Sequence, residues 1–538
     1  MSLGLTPAVE DLYRSTRELC QPKLSATSIY RLLAEQGRGL FGDEKFSDLF
    51  EDVGRNSVPP RIVATVMVLQ RVEGLSDREA ADRFAFDLRW KYAAGVDLDY
   101  PSFVHTVLVD MRARLRESER PDRIFEAALE VAKGAGLVGR KRVLDSTALY
   151  DAVATQDTVT MVRGAIRGLL ASAKEALATE LRDALKREDD YRSAGKPVCD
   201  WDDEAAREAL VDALARDGYA LLALLDGREL TEAVKQAAAL LAAVLGQDLE
   251  QREDGLFRIE RRVAPDRIIS TVDPEARHGH KTAARGFDGY KGHIAIDPDT
   301  EIITATEVTA GNVGDGSAAE ALLKDVLPPP AAETAEAQAE TAVPQEIPAQ
   351  AAAVVEVYGD ASYGTADLVE KVEAAGLEAD MKVQRPSPPR KGMFSQDDFA
   401  IDVQAGTVKC PHGILVVLRE IPDGSRVAQF GPQCDGCPLR SRCTTSKEGR
   451  SVRLHPKHAV LDRERKRQRD PGWLARYRAT RPKVERKIAH LMRRKHGGRR
   501  ARMRGRLRIG QDFSLLAAAI NLMRMAVLGV RLTAPQMS

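Results

Sequence analysis

Apolar residues recur at helical spacing through the first quarter of the chain. The stretch "PPRIVATVMVLQRV" (59–72) has Pro at its start, and "GLSDREAADRF" (74–84) follows it after a short Gly-containing turn. Ser76 and Glu79 give the second stretch an S-x-x-E capping box. A helix, a short turn and a capped helix are typical of a helix-turn-helix, although an ordinary helical hairpin has the same pattern. We predict that residues 1–135 form a helical N-terminal domain.

The pattern then changes to a short strand and back to sustained helix. "GRKRVLDSTAL" (139–149) predicts a strand that ends at Asp145, within a strand segment that spans 136–150. After it, Ala/Leu-rich stretches keep apolar positions at helical spacing. We interpret residues 151–262 as an α-helical insertion.

Strand patterns return in residues 263–386 and alternate with helical patterns. A hairpin is predicted with strands at 289–296 and 301–309 and a turn at 297–299. The other predicted elements are a strand at 266–274, a helix at 315–327, a flexible Pro/Ala/Glu linker at 328–352, a strand at 354–360, a helix at 366–376 and a strand at 378–386. This alternation predicts an α/β fold in which helices cover both faces of a mixed central sheet.

Composition and charge narrow the class of protein. The chain has 538 residues, of which 43% are hydrophobic and 30% charged, as in soluble proteins with several structural units. No apolar run approaches the roughly 20 residues of a membrane span, and no signal peptide opens the chain, so we expect a cytoplasmic protein without membrane partners. The net charge of zero hides an asymmetry, because residues 450–508 hold 23 Lys and Arg against four Asp and Glu. Such asymmetry is typical of a nucleic-acid-binding face.

Carboxylates at strand ends are the first candidates for chemistry. In "VVEVYGDASYGT" (354–365), Asp360 follows a β-branched strand, as Asp145 does earlier. Asp and Gly also end strands because they favour turns. On neighbouring strands of one sheet, however, the two carboxylates would lie close enough to hold divalent metals, and Mg²⁺ prefers carboxylate, water and phosphate oxygens.

A third carboxylate is predicted from the basic segment 451–538. Glu485 is nearly the only acid in this field of Arg and Lys, where a surface ion pair is the ordinary role of such a residue. Tyr477, Arg481 and Glu485 are spaced at i, i+4 and i+8, so one helix would carry them on one face. Pro482 either kinks that helix or marks its first turn, which would place Tyr477 on a preceding segment.

Residues 387–450 contain a cluster of thiols. Cys410, Cys434, Cys437 and Cys443 follow the pattern C-x23-C-x2-C-x5-C, and His412 is a substitute ligand. Four thiolates with a C-x2-C pair are typical of a structural Zn²⁺ site. Reduced thiols packed in a small loop domain are the alternative.

Taken together, these motifs resemble the DDE transposases of bacterial insertion sequences. The blocks "DPEARHGHKTAARGFDGYKGHIAID", "VTAGNVGDG", "DASYGT" and "CDGCPLRSRCT" look like those of the branch with a cysteine cluster between the second Asp and the Glu. The resemblance implies a ribonuclease H-like catalytic domain in which Asp145, Asp360 and Glu485 hold two Mg²⁺ or Mn²⁺ ions. It also implies an amino-terminal DNA-binding domain in residues 41–135. One departure is Met492, where related proteins have Lys; the nearest Lys is Lys495.

The implied reaction is metal-dependent hydrolysis of a phosphodiester at each element end, followed by attack of the freed 3′-OH on target DNA. The expected partners are double-stranded DNA and, in the active complex, a second copy of the chain. The predicted DNA-contacting residues are Tyr477, Arg481, Arg486, Lys487, Arg493, Arg494, Lys495, Arg499 and Arg500. A catalytically silent DNA-binding protein and a nuclease without strand transfer remain the alternatives.

Overall fold

The structure is a computed structural model that describes residues 1–2, 14–189, 191–282, 285–328 and 355–531. Its N-terminal helices are α1 (Arg14–Cys20), α2 (Ile29–Phe41), α3 (Pro60–Glu73), α4 (Asp77–Phe86), α5 (Leu88–Ala94), α6 (Thr106–Glu117) and α7 (Arg123–Gly134). Strand β1 (Lys141–Tyr150) follows, and then come α8 (Thr158–Ser172), α9 (Glu175–Asp183), α10 (Glu204–Leu225), α11 (Glu232–Asp248), β2 (Leu249–Gln251) and β3 (Phe257–Ile259).

The chain then returns to the sheet that contains β1. The next elements are β4 (Arg277–Thr282), β5 (Arg285–Ile296), β6 (Ile303–Ala310), α12 (Ala319–Leu322), β7 (Glu356–Gly359), α13 (Ala366–Ala374) and β8 (Glu378–Met381). Short strands follow as β9 (Ala400–Asp402), β10 (Thr407–Lys409), β11 (Leu415–Val417), β12 (Arg419–Glu420), β13 (Arg426–Gln429) and β14 (Ser451–Leu454). The later helices are α14 (Arg440–Cys443), α15 (His458–Arg467), α16 (Pro471–Thr480), α17 (Pro482–Leu491) and α18 (Arg506–Val527).

The central sheet is mixed, with the strand order β4-β5-β1-β7-β8 and β6 paired to β5. Strands β4, β1 and β6 are antiparallel to β5, whereas β7 is parallel to β1 and β8 is parallel to β7. The predicted α/β class with a mixed sheet is confirmed. In this sheet, antiparallel pairing joins four strands (β4, β5, β6 and β1), and parallel pairing adds β7 and β8 beside β1. The arrangement is consistent with a ribonuclease H-like fold.

Helix α18 connects the N-terminal helices to the sheet, because it contacts α2, α3, α6 and α7 as well as β5 and β6. Helix α3 is buried along residues 60–72, and its contacts include α2, α5 and α18. Apolar side chains of these helices form one continuous core with side chains of β1, β5, β6 and α18. The predicted boundary at residue 135 therefore does not separate two cores.

The turn between α3 and α4 has the predicted caps. The capping box is confirmed, because the Glu79 N–H donates to Ser76 Oγ and the Ser76 N–H donates to Glu79 Oε2. Gly74 ends α3 with φ of 68°, and a Cβ there would lie 2.4 Å from the carbonyl oxygen of Lys495. Only Gly allows this close approach between the turn and the basic C-terminal segment.

The segment between β1 and β4 is mainly helical, as its periodicity predicts. Helices α8, α10 and α11 bury an apolar cluster of their own that is distinct from the core of the sheet. The small β2–β3 hairpin closes the segment, and sequence periodicity did not indicate it.

One strand prediction was wrong, and one predicted helix is shorter than expected. Residues 266–274 do not form a strand; an isolated bridge joins Ile268 to Arg277. Side chains hold this segment instead, since the buried Asp273 accepts hydrogen bonds from Tyr290 Oη at 2.7 Å and from the Gly505 N–H. The predicted helix at 315–327 is short, with one α-helical turn in α12. The predicted linker 328–352 lies, apart from its first residue, outside the described residues.

Candidate active site

Strands β1 and β7 bring Asp145 and Asp360 together. The prediction that β1 ends at Asp145 was wrong. The strand continues to Tyr150 while paired to β5. Its pairing with β7 covers only residues 141–143, and β7 ends at Gly359. The side of β1 that faces β7 therefore opens at the level of Asp145, and Asp360 is the first residue beyond β7.

Glu485 reaches the same place from α17. Pro482 occupies the first turn of α17, so Tyr477 lies on the preceding helix α16 and Arg481 lies at the junction. Of the two readings that the sequence left open, the structure supports the one in which Pro482 starts a helix. Buried Val484 and Leu491 hold α17 against the core, with Glu485 on the opposite, exposed face.

The guanidinium of Arg481 lies among all three carboxylates. Its Nη2 is 2.9 Å from Asp145 Oδ1 and 3.7 Å from Asp360 Oδ2, and its Nη1 is 3.5 Å from Glu485 Oε1. We call these four residues the carboxylate site. The exposed fraction rises from 7% for the Arg481 side chain and 11% for Asp145 to 39% for Asp360 and 63% for Glu485. The site is therefore closed on the β1 side and open to solvent on the α17 side.

Electrostatics leave this site with excess negative charge. Burial raises the pKa of Asp145, although Arg481 beside it opposes the shift. Burial would lower the pKa of Arg481, but Asp145 and Asp360 outweigh it and raise that pKa. Among these four residues, one guanidinium thus faces three carboxylates, and such an arrangement favours the binding of further cations. Lys281, Arg285 and Arg499 line the cavity that contains this site and offset part of this negative charge.

Tyr477 contacts the end of β7 and the preceding turn of α16. Its hydroxyl donates to the carbonyl oxygen of Gly359 at 3.2 Å, and its ring stacks on Trp473 at a centroid distance of 4.9 Å. Burial raises the pKa of Tyr477 to about 12, so the phenol stays protonated at neutral pH. Its hydrogen bond fixes the end of β7, and through it the position of Asp360.

Ser146 holds Asp145 from the neighbouring position on β1. The Ser146 N–H donates to Asp145 Oδ1 at 2.8 Å, and Ser146 Oγ donates to Asp315 Oδ2 at 2.6 Å. Lys291 in turn donates to Asp315 Oδ1 at 2.8 Å. Asp315 lies in the block "VTAGNVGDG", which was a motif of the resemblance without an assigned role.

A second buried polar group supports the sheet beneath Asp145. His293 on β5, opposite Ser146 in the register, is fully buried. Its ring nitrogens bond to the Tyr363 hydroxyl and to Thr309 Oγ1, both at 2.9 Å. Burial lowers the pKa of His293 to about 4, so the ring is neutral at neutral pH.

A cavity of about 530 Å³ contains the carboxylate site. Lys281, Arg285 and Arg499 also line it, and none of the three forms an ion pair with a described residue. Lys281 Nζ donates to the carbonyl oxygen of Ser146 at 3.0 Å. Lys281 and Arg285 lie on the β4–β5 hairpin. Both stand in the block "DPEARHGHKTAARGFDGYKGHIAID", which was a motif of the resemblance, but sequence reasoning assigned neither of them a role.

The predicted DNA-contacting residues fall into two groups. Arg493, Arg494, Lys495, Arg499 and Arg500 are exposed at and beyond the end of α17. Lys487 is buried at 1% exposure beside Glu301, which also pairs with Arg486. Since Lys487 faces inward, its prediction as a DNA contact is corrected. Met492 lines the cavity where a Lys was expected, and Lys495 does not line it.

The thiol cluster, defined as Cys410, Cys434, Cys437 and Cys443, lies in a separate small core. Its four thiols line one cavity of about 20 Å³ together with His412. Burial raises the pKa of the Cys443 thiol, and Arg450 opposes this shift only in part. The core beneath the thiols contains Phe399, Val408, Ala428, Phe430, Val452 and Leu454. This segment thus has more apolar content than its sequence suggested, and its last strand, β14, extends past the predicted boundary at residue 450.

The ligand chemistry of the carboxylate site fits a divalent metal, but in this arrangement the Arg481 guanidinium lies among the three carboxylates where an ion would bind. Across the described ranges, no group of three or more His, Cys, Asp or Glu side chains is arranged to hold a metal ion. This applies to the thiol cluster as well, so zinc is unsupported by the geometry.

Comparison with known families gives two matches. The family described as "Transposase DDE domain" matches residues 420–526, and the "Transposase domain (DUF772)" matches residues 23–114. No curated protein and no solved structure matches the chain. No helix among the described residues is long and apolar enough to cross a membrane.

These matches confirm the resemblance to insertion-sequence DDE transposases, and they indicate a function in transposition. The first match contains Glu485 and Arg481 but neither aspartate. The pairing of Asp145 and Asp360 with that helix therefore depends on the geometry alone.

Proposed function

We propose that this chain is a DNA transposase that hydrolyses phosphodiester bonds at the ends of an insertion sequence and joins the freed 3′-OH to target DNA. The observation that carries the proposal is the convergence of Asp145, Asp360 and Glu485 on one guanidinium inside an open cavity. The order of the strands supports a ribonuclease H-like catalytic domain, and the transposase family matches support the class of reaction.

Asp145, Asp360 and Glu485 would hold Mg²⁺ or Mn²⁺, two ions in the full site. When bound, the ions would supply Lewis-acid stabilisation of the attacking and leaving oxygens of the phosphodiester. The protein would contribute three carboxylate ligands that are held on rigid secondary-structure elements. Asp145 and Asp360 come from the sheet and Glu485 from a helix packed on it.

The residues around the carboxylates would position the ligands and the DNA. Ser146 orients Asp145 through its N–H, and Tyr477 fixes the strand that precedes Asp360. Lys281 and Arg285 would bind phosphates of the strand being cut. Because neither forms an ion pair with a carboxylate among the described residues, their charges remain available to a phosphate.

A second basic surface lies next to the cavity. Arg493, Arg494, Lys495 and Arg500 are exposed and would hold the DNA backbone, with affinity that falls as salt rises. Recognition of the end sequence is assigned to residues 41–135, where α3 is buried and α4 carries the exposed side chains. The resemblance also predicts a homodimer in the active complex.

Zinc in the thiol cluster stays a prediction, and the packed-thiol alternative has support from the structure. The thiols lie against an apolar core that stabilises the segment without a metal. A zinc site would need the four sulfur atoms to draw together.

The test is incubation of the protein with DNA that carries the flanking ends of its element, in Mg²⁺, followed by mapping of the cuts and of joined products. Cuts at the element ends that leave a 3′-OH, and joining of that end to target DNA, are the expected result. Cuts without joining would favour a nuclease, and DNA binding without cuts would favour a catalytically silent binding protein.

A further inference from the structure

Arg481 occupies the position at which the three carboxylates would meet a metal ion. The nearest contacts of its guanidinium to Asp145, Asp360 and Glu485 are all between 2.9 and 3.7 Å. Three carboxylates this close repel one another unless a cation lies among them. In the metal-free protein, Arg481 is that cation.

The guanidinium is incompletely bonded in this position. Its Nε and Nη1 are buried, and neither has a hydrogen-bond acceptor among the described residues. A guanidinium is suited to bidentate contact with planar carboxylates or phosphates, and here Nη2 alone makes a short contact. A group with unused donors beside an open cavity can gain hydrogen bonds by turning toward a phosphate.

We propose that Arg481 is a displaceable counter-cation that makes metal binding depend on DNA. This inference rests on the proposed function. Without DNA, the guanidinium competes with divalent cations for the three carboxylates. When a DNA phosphate enters the cavity, Arg481 turns from the carboxylates to that phosphate, and its unused N–H groups become bonded.

The consequence is a positive coupling between DNA binding and metal binding at one site. Each ligand favours the arrangement of Arg481 that the other needs, so each raises the affinity for the other by the same factor. The protein would therefore hold its metal ions weakly until DNA is present, which limits cutting by unassembled protein.

The test measures Mn²⁺ binding by isothermal titration calorimetry on the full chain, without DNA. Arg481→Gln removes the charge and should bind Mn²⁺ more tightly than the wild-type protein, by about tenfold or more. Arg481→Lys keeps a cation and should stay near the wild-type affinity. Lys466→Gln removes one charge from an exposed position on α15 and is the matched control, with no expected change.

A second titration adds a 20-base-pair duplex of arbitrary sequence, with binding by the duplex itself subtracted. The duplex should raise the Mn²⁺ affinity of the wild-type protein and leave that of Arg481→Gln unchanged. Circular dichroism checks that each variant is folded. If Arg481→Gln is not folded, the wild-type protein alone tests the coupling, because a Mn²⁺ affinity that the duplex does not raise would overturn the proposal.

A comparison of two single variants, Asp145→Asn and Arg481→Gln, separates this inference from the proposed function. If Asp145→Asn removes Mn²⁺ binding but Arg481→Gln binds no more tightly than wild type, the displacement model is overturned and the metal site stands. If Asp145→Asn leaves Mn²⁺ binding intact, the metal is bound elsewhere and both proposals fall.

Discussion

The carboxylate site and the thiol cluster are both candidate metal sites by sequence, yet they are built differently. The carboxylates lie in a large open cavity around a counter-cation, above a buried polar network of Ser146 and Asp315. The thiols lie in a cavity of about 20 Å³ above aromatic and aliphatic side chains, with a backbone N–H of Arg450 donating to Cys434 Sγ.

This difference teaches that ligand type and spacing in a sequence do not distinguish a reactive centre from a packed one. Three carboxylates that converge need a cation among them, whereas thiols can pack against apolar side chains without one. We therefore expect the two regions to respond in opposite ways to metal and to substitution.

The largest expected effect is on the carboxylate site. Asp145→Asn, Asp360→Asn and Glu485→Gln should each lower the rate of DNA cleavage by roughly a thousandfold or more, because each removes a metal ligand. Binding to DNA ends in a mobility-shift assay should persist. A variant that cuts near the wild-type rate would remove its residue from the site.

A smaller effect is expected from the β4–β5 hairpin. Lys281→Met and Arg285→Gln should each lower the cleavage rate by roughly tenfold to a hundredfold, since a phosphate would lose a positioning contact. Adding Met492→Lys to Lys281→Met should restore part of the rate, because residue 492 lines the same cavity. Lys409→Met, an exposed position on β10, is the control and should change nothing.

For the thiol cluster, the zinc prediction and the packed-thiol alternative give different results. If zinc is bound, protein purified without chelators should contain about one zinc per chain, and Cys434→Ser with Cys437→Ser should release it. The same double variant should loosen residues 387–450 to protease, while cleavage chemistry changes only indirectly. Zinc-free protein with normal resistance to protease would leave the packed-thiol alternative standing.

The weakest expected effect is a pH dependence of local stability beneath Asp145. An unfolded His takes a proton near its ordinary pKa of 6.5, whereas burial lowers the pKa of His293 to about 4. Below pH 6.5 the unfolded state binds more protons, so stability should fall as pH falls toward 4, by up to about 1.4 kcal/mol per pH unit.

Hydrogen exchange of the β5 amides, corrected for the intrinsic rate, measures this change. His293→Gln should flatten the pH dependence, although it lowers stability at neutral pH by disturbing the bonds to Tyr363 and Thr309. An unchanged slope in this variant would show that folding does not lower the pKa of His293.

Local patterns predicted much of the fold and part of the site. The β5–β6 hairpin, α13 and the caps of α4 are where short-range rules placed them. Asp360 could be named because it follows a strand, and Glu485 because a lone acid in a basic segment is a local feature. Asp145 was named for the same strand-end reason, although it lies inside β1. What the sequence could not provide was contact between distant segments.

Arg481 illustrates that limit. Its helical spacing to Glu485 was visible, but its position among the three carboxylates depends on the packing of α17 against β1. Lys281 and Arg285 were assigned no role for the same reason, and the burial of Lys487 beside Glu301 was not predicted either. The apolar core under the thiols forms only when β10, β13 and β14 come together, so the sequence did not indicate it.

The central claim is that Asp145, Asp360 and Glu485 hold the metal ions that cut DNA, and a change of ligand softness tests it most directly. Asp360→Cys replaces a hard carboxylate with a thiolate, which binds Mg²⁺ poorly and Mn²⁺ better. The account predicts that this variant fails to cut element-end DNA in Mg²⁺ and regains measurable cutting in Mn²⁺, while Asp360→Ala stays inactive in both. Equal cutting by Asp360→Cys in Mg²⁺ and Mn²⁺, or cutting by Asp360→Ala, would contradict it.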